Sequence, residues 1–366
     1  MKKNKAILIS LIATVLGLLI GFVVVFITGR NPIDMLLAFV KSLTGFDVVN
    51  GHFNIVYVLN WFLESVPLIL TGLAIAFAYR TGLFNIGVEG QYMVGAAAAS
   101  MAALLLSLPP VIHVIVCVLA GMLAGALWGA IPGILKAYRN IHEVVICIML
   151  NYVGMYFANI LVRYLLPIDD KTNAKTIAFG EGSVFAKVVE GSTSQFNWGF
   201  LIAVLAVILV WFIIEKTSFG FSLKATGFNK DAAEFSGMKV NKNIITSMMI
   251  SGALAGAAGA VVILGTFKYG RIFVAFDGYG FTGIAVALVG AANAIGVALA
   301  GLLFGLLKAC TGALQLNGIP KEISDLIQAC IIYFVAIQYG IVLIVNKLKA
   351  KKAKKALETE EGGRQS

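Results

Sequence analysis

Charge is what this chain has least of. Only 13% of its 366 residues are Asp, Glu, Lys or Arg, against roughly a quarter in a soluble globular domain. Hydrophobic residues make up 60%, and mean hydropathy is +0.93. That balance excludes an ordinary water-soluble domain. Cysteine is sparse as well. Cys117, Cys147, Cys310 and Cys330 each sit inside an apolar run, without paired ligand spacing. They read as small buried side chains, not as metal ligands. The three histidines, His52, His113 and His142, are scattered near the ends of such runs. Cys, His and carboxylates are too dispersed to assemble a nucleophile–base pair, so an intramembrane enzyme is disfavoured and no cofactor is expected. Also lacking is the phosphate-binding loop Gly-x4-Gly-Lys-Ser/Thr.

What is present is a series of apolar runs of about 20 residues, the length that crosses a hydrocarbon core of about 30 Å as helix. Helices satisfy their backbone polar groups internally, and the runs lack the alternation of a β-barrel. Ten crossing segments are expected: 6–28, 53–79, 90–107, 111–135, 143–166, 198–215, 244–267, 279–293, 294–311 and 323–346. The weakest are 90–107 and the pair 279–293 and 294–311, which Gly, Asn and other polar residues interrupt or border. Lys2, Lys3 and Lys5 precede the first run, and Lys347, Lys349, Lys351, Lys352, Lys354 and Lys355 follow the last. The positive-inside rule puts both ends in the cytoplasm. An even number of spans agrees, and so do Arg80, Lys136, Arg139 and the lysines of 216–243, which then fall inside. The lysines flank spans without interleaved aromatics, which argues against nucleic acid. The first run is too long for a signal-peptide core and reads as an uncleaved anchor.

Gly121, Gly125, Gly129 and Gly133 recur every fourth residue, and Gly252 with Gly256 and Gly301 with Gly305 repeat the spacing. Such stripes let a neighbouring helix approach closely, so a compact bundle is expected. The polar segment 167–197 falls outside, as a solvated loop, as a cap on the outer mouth or as a contact for a partner. The tail 356–366 reads as disordered.

Three stretches break the apolar pattern. The first, Arg80 to Tyr92, is rich in Gly and holds Phe84, Asn85, Glu89 and Gln91. Non-helical backbone at membrane depth survives only inside protein or against a water-filled cavity, and an ionisable group there is a functional candidate. The competing reading is an inside loop with a helix start at Glu89. The second stretch echoes the first. Glu89-Gly90 is followed by Gly95 and Ala97, and Asp277-Gly278 is followed at the same offsets by Gly283 and Ala285. One enters its helix from inside and the other from outside, the sign of an inverted repeat pairing 53–166 with 244–346. The match is short, and coincidence competes with it. The third is the inside stretch Phe219–Met238. Asn229 is a good N-cap, Asp231 suits the first turn, Lys230 and Glu234 are an i,i+4 pair, and Gly237 is a natural stop. A short helix of about two turns is expected, displaying Ala232 and Ala233 to a soluble partner; the competing reading is an interfacial loop helix.

Continued to Ser251-Gly252-Ala253-Leu254-Ala255-Gly256-Ala257-Ala258-Gly259, this third stretch resembles the coupling-loop signature of ABC importer permeases. The subgroup serves simple sugars, branched-chain amino acids and nucleosides. The stretch Gly82-Leu83-Phe84-Asn85-Ile86-Gly87-Val88-Glu89-Gly90-Gln91 is similar to the form in nucleoside importers that work with a lipoprotein of the basic-membrane-protein type. The resemblance covers roughly 55–345. It implies an all-α polytopic membrane protein with the bundle of a type II ABC importer. It further implies a non-catalytic subunit in the bacterial cell membrane, with ATP hydrolysed by a separate ATPase. That ATPase would dock on Gly227, Asn229, Ala232, Ala233, Glu234 and Gly237. A second homologous permease and a substrate-binding lipoprotein are the other implied partners, besides membrane lipid. The organisation expected is an anchor helix at 1–30, a permease domain at 31–346 with coupling segment 216–243, and a cytoplasmic tail at 347–366. Phe84, Asn85, Glu89, Gln91 and Asp277 are the candidates for the path of a nucleoside. A ribose-type sugar is the nearest rival. An ion-coupled secondary transporter, using Glu89 and Glu64, is a more distant one.

Overall fold

The computed structural model describes residues 3–169, 175–316, 318–323 and 325–334. The lysines from Lys347 on, the tail 356–366 and most of the expected last span lie outside the described residues. The chain divides into two units, Met1–Arg30 with Glu322–Ser366, and Asn31–Lys321. In the first, α1 (Lys3–Ile27) packs on the helical stretch Asp325–Phe334. Gly17 is the point of approach, since a Cβ there would lie 3.3 Å from the Ile327 carbonyl and 3.2 Å from the Ile331 nitrogen.

The second unit opens with α2 (Pro32–Thr44), capped by Asn31, whose side chain accepts from the Ile33 N–H. A small hairpin, β1 (Phe46–Asp47) and β2 (His52–Phe53), follows. Lys41 fastens it, with Nζ 2.7 Å from Asp47 Oδ2. That ammonium holds the Asp47 carboxyl well below the usual carboxylate range. The helices α3 (Ile55–Arg80), α4 (Val88–Leu105), α5 (Pro110–Arg139) and α6 (Glu143–Leu165) come next. After β3 (Lys175–Ala178) come α7 (Phe200–Lys216), α8 (Ser218–Phe228) and α9 (Lys230–Phe235). The chain continues through α10 (Val240–Val261), which passes into a π-helical turn Val262–Phe267, then β4 (Tyr269–Arg271), α11 (Tyr279–Val289) and α12 (Ala294–Leu316).

Among the described residues five helices are long and apolar enough to cross a membrane: α3, α5, α6, α10 with its π turn, and α12. A sixth is added if α7 and α8 count as one span bent by 73°. This is fewer than the ten expected segments. The physical reason is clearest at 279–293, where hydropathy suggested a crossing. The helix there, α11, has only 11 residues. At 1.5 Å per residue it reaches about 16 Å, half the hydrocarbon thickness. It stops at Gly290, and Ala291 and Ala292 turn the chain with φ of 52° and 49°.

Two helices form the centre. In α3 and α10 the apolar windows are 78% and 83% buried, whereas those of α5 and α6 are 28% buried. The two run antiparallel. Ala78 and Leu83, at the end of α3, share a cluster with Val240, Ile244 and Met248 at the start of α10. Around this pair the packing repeats with the halves exchanged. Helices α4 and α5 lie on α10, and α11 and α12 lie on α3. The glycines show why such close approach is possible. Gly95 and Gly121 meet Gly256, while Gly283 meets Thr71 and Gly305 meets Ser65. The echo at Gly95 and Gly283 therefore marks corresponding contacts in two inverted halves.

The segment 167–197, in so far as it is described, is fastened to the bundle. Strand β3 pairs antiparallel with β4, Phe179 donates to the Lys268 carbonyl at 2.9 Å, and Phe185 donates to the Leu264 carbonyl at 3.3 Å. It caps the C-terminal end of α10 and its π turn.

Candidate functional site

The first interruption, Thr81–Gly87, is built on side chains that replace the missing helical hydrogen bonds. Gly82 turns the chain with φ 73°, a conformation that costs a Cβ-bearing residue energy. The Asn85 side chain accepts from the Gly87 N–H at 3.0 Å, turning the chain just ahead of α4. Its amide donates to Gln91 Oε1 at 2.9 Å and to Ser251 Oγ at 2.7 Å. Ser251 in turn donates to the Ala74 carbonyl at 2.6 Å, and Thr81 donates to Ser247 Oγ at 2.8 Å. Asn151 of α6 closes the far side, accepting from the Gly90 N–H at 2.8 Å and donating to the Ile86 carbonyl at 3.0 Å.

The second interruption, Lys268–Gly278, follows the π turn. Lys268 has φ 61° and Gly278 φ 81°. Arg271 holds Asp277 with two bonds, 2.9 and 3.1 Å, the fork geometry a guanidinium suits. Asn159 of α6 clamps Phe273 in both directions, at 2.8 and 2.7 Å. One helix, α6, is thus stapled to both interruptions through two asparagines eight residues apart.

Glu89 joins the two. Its carboxylate is fully buried. Oε1 accepts from the Gly278 N–H at 2.7 Å and Oε2 from the Gly280 N–H at 2.6 Å. These are unpaired donors at the start of α11, where the helix dipole also favours an anion. Gly280 is needed for the approach, because a Cβ there would sit 2.5 Å from the Glu89 nitrogen. Tyr92 adds a bond to Asp277 Oδ2 at 3.1 Å. Tyr279 donates to Glu64 Oε2 at 3.2 Å, which Lys308 also approaches at 3.3 Å. The half-helix α11 is therefore held at its N-terminus by groups from α3, α4 and α12.

The structure thus brings Glu89 and Asp277 together, along with Asn85 and Gln91 beneath them. The polar groups of Asn85, Glu89 and Gln91 are buried; Glu89 and Asn85 hold backbone N–H groups, and Gln91 is spent on the Asn85 side chain. Phe84 is half-buried and has no ring partner among the described residues. Sequence reasoning missed Asn151, Asn159, Arg271, Tyr279 and Lys308. The asparagines carried a signal, since an amide in the middle of an apolar span needs a partner.

The third stretch forms α8 and α9. Asn229 caps α9 by accepting from the Ala232 N–H at 3.0 Å, and Gly237 takes φ 79°. Asn243 of α10 donates to Ser222 Oγ at 2.7 Å and Thr226 Oγ1 at 2.8 Å, tying α8 down. Gly227 lies against Arg80 to Gly82, the start of the first interruption, at distances only glycine allows. The helix α9 has six residues and one buried side chain, Ala233. Ala233 was expected on the surface. It is instead packed with Ala78, Leu83 and Cys147, because the short helix must seat one small side chain to be held at all. Ala232, Glu234 and Gly237 are exposed. Beside them stand two bare aromatic rings, Phe228 at 89% and Phe235 at 98% exposure.

A multi-pass helical membrane protein with a half-length helix pinned at its centre and a capped, aromatic-flanked helix between two spans is the class this geometry defines. Residues 57–336 match the family described as the branched-chain amino acid transport system permease component, and the chain belongs to that family. It is 42% identical over 358 residues to the guanosine ABC transporter permease protein NupP of Bacillus subtilis, covering 96% of this chain and 99% of that protein. It is 34% identical to the nucleoside ABC transporter permease protein NupB of Lactococcus lactis, covering 97% of each. The glucose ABC transporter permease protein TsgB13 of Haloferax volcanii is 33% identical over 88% of this chain and 85% of that protein. Weaker similarity, 26% and 29%, reaches a second permease in each of the two bacteria, NupQ and NupC. No solved structure matches closely enough to compare.

Proposed function

We propose that this chain is a membrane permease subunit of an ATP-driven importer that moves nucleosides into the cell. The observation that carries the substrate is the near-complete alignment with permeases named for guanosine and nucleosides. The glucose permease supports a simple sugar as the second reading. Uptake of labelled guanosine, adenosine and ribose by cells with and without the gene separates the two. Nucleoside uptake unchanged by deletion would sink the first.

In this reading both termini and α9 lie in the cytoplasm, and the lysines flanking the first and last spans hold that orientation. ATP is hydrolysed by a separate subunit that docks on the α8–α9 surface. Exposed aromatic rings around a rigid, capped helix are the kind of anchor that carries binding energy. Gly227 against Arg80–Gly82 gives the docked subunit a mechanical route to the first interruption, and through Glu89 to α11. A contact that differs between nucleotide states biases the permease between outward- and inward-facing arrangements. The paired permeases of the two bacteria support a heterodimer with a second permease, and a substrate-binding lipoprotein is the outer partner. The residues divide into an anchor at 1–30, a permease domain at 31–346 and a tail at 347–366.

Phe235→Asp tests the docking surface more cleanly than a change at Ala233, which would disturb the core. Phe235 is bare, so the variant is expected at normal levels in the membrane. Loss of one aromatic anchor costs about 2 kcal/mol or more. Co-purification of the ATPase is expected to fall sharply, together with uptake. Normal co-purification and uptake would move the docking surface elsewhere.

A further inference from the structure

The outward faces of the spans are not alike. On α5 and α7 aliphatic residues such as Leu119, Leu123, Leu205 and Ile208 are between 53% and 61% exposed, with Phe212 of α7 at 51%. The face of α6 carries Tyr152 at 53% and Tyr156 at 62%. Both lie at the middle of the helix, nine residues in from Glu143 and nine from Leu165 respectively, about 13 Å from either end. Tyrosines that serve as membrane anchors sit at the interfaces, not at the centre. Among the described residues neither hydroxyl has a hydrogen-bond partner. An unpaired hydroxyl in hydrocarbon is costly, so these two side chains are poorly suited to lipid.

The same helix adjoins both interruptions. Asn151 and Asn159 of α6 hold them. Phe276 of the second interruption meets Tyr152 edge to face, with centroids 4.9 Å apart. Next to it Val274 is 94% exposed. Tyr152 and Phe276 thus join the middle of α6 to the broken segment in one aromatic contact, and Tyr156 lies one helical turn further along α6.

We propose that Tyr152, Tyr156 and Phe276 are one wall of the translocation path, on which the flat base of the cargo stacks while the tyrosine hydroxyls meet its sugar. The identity of the cargo rests on the nucleoside reading above. The wall itself rests on the exposure and chemistry of α6. Aromatic rings suit a passing base because stacking is tolerant of which base it is. Glu89 and Asp277 then act behind the wall, holding the broken segment that contributes Phe276.

The test is thiol accessibility in the full transporter in cells, with Cys117, Cys147, Cys310 and Cys330 replaced by Ala. Tyr152→Cys and Tyr156→Cys are compared with Leu123→Cys on α5, using a charged, membrane-impermeant methanethiosulfonate. Thiols react as thiolates, which form in water and not in hydrocarbon. Both α6 thiols are expected to react much faster than the α5 control, and guanosine is expected to slow them. Reactivity at positions 152 and 156 no greater than at 123 would overturn the wall, whether lipid or a neighbouring chain covers it. Reaction slowed by ribose but not by guanosine would keep the wall and remove the nucleoside. Reaction that neither slows would overturn the assignment to cargo. A second measurement needs no thiol. Tyr152→Ala with Tyr156→Ala is expected to cut nucleoside uptake about tenfold or more, as the loss of base stacking predicts. Tyr156→Phe, which keeps the ring, is expected to retain most of it. Unaltered uptake in the double Ala variant would also refute the proposal.

Discussion

A Gly256→Leu chain is expected to be nearly absent from the membrane. A Cβ at Gly256 would collide with the carbonyl oxygen of Gly121, and one at Gly252 with that of Gly125. The obstacle on each side is backbone, which cannot rotate away as a side chain can. Relief requires α5 and α10 to separate along the whole stripe, and α10 is one of the two central helices. Overpacking a core commonly costs about 1–3 kcal/mol, and a backbone collision in a helix crossing belongs above that range. Folded proteins have only about 5–15 kcal/mol in reserve. The measurement is membrane-fraction abundance together with the melting temperature in detergent. Leu123→Ala, on the exposed face of the same α5, is the control and is expected to behave as wild type. Wild-type abundance and melting of Gly256→Leu would mean that α5 and α10 do not cross as described.

The glycine stripes also show how much of the fold the sequence revealed. Fourfold spacing marked smooth faces on 121–133, on 252–256 and on 301–305, and all three are close contacts in the structure. Spacing carries no information on which stripe meets which. That the first faces the second, while the third faces Ile69 and Ser65 of α3, follows only from the inverted arrangement. The breaks at 80–92 and 268–279 were legible because polar and glycine residues are conspicuous against an apolar background. Their connection was not. The partners of Glu89 are backbone N–H groups 189 and 191 residues away, and backbone donors leave no mark in a sequence. The half-length of α11 was hidden for a related reason. Apolar residues continue through its end, and the turn is made by two alanines in a conformation that favours glycine. The aromatic face of α6 was in plain view as Tyr152 and Tyr156. Nothing in a helical period distinguishes a tyrosine turned outward from one turned inward when every face of the span is apolar.

Glu89→Ala is expected to abolish uptake while leaving the docking surface intact. The carboxylate accepts two backbone bonds at the start of α11, and charge-assisted bonds of this kind are worth about 1.5–3 kcal/mol each. Alanine leaves the Gly278 and Gly280 donors buried beside an empty space. The N-terminus of the half-helix then keeps only Tyr92, bonded to Asp277 and beside the Tyr279 ring, to connect it to α4. Tyr279 with Glu64 and Lys308 still holds it to α3 and α12, so α11 is expected to loosen on the α4 side and not to unfold. Gln at the same position keeps one oxygen but turns an amide N–H2 toward a backbone N–H, so it satisfies one donor and opposes the other. Uptake is therefore expected to fall in the order wild type, Gln, Ala, with Ala down by about a hundredfold if two such bonds are lost. The ATPase is expected to co-purify with all three, because Phe228 and Phe235 are untouched. Basal ATP hydrolysis by the complex, measured beside uptake, then gives the decisive comparison. Hydrolysis that persists while uptake disappears places Glu89 in the transmission between α9 and the broken segment. Uptake in Glu89→Ala equal to wild type would show that α11 needs no anion at its N-terminus, and the pinned half-helix would lose its role in transport.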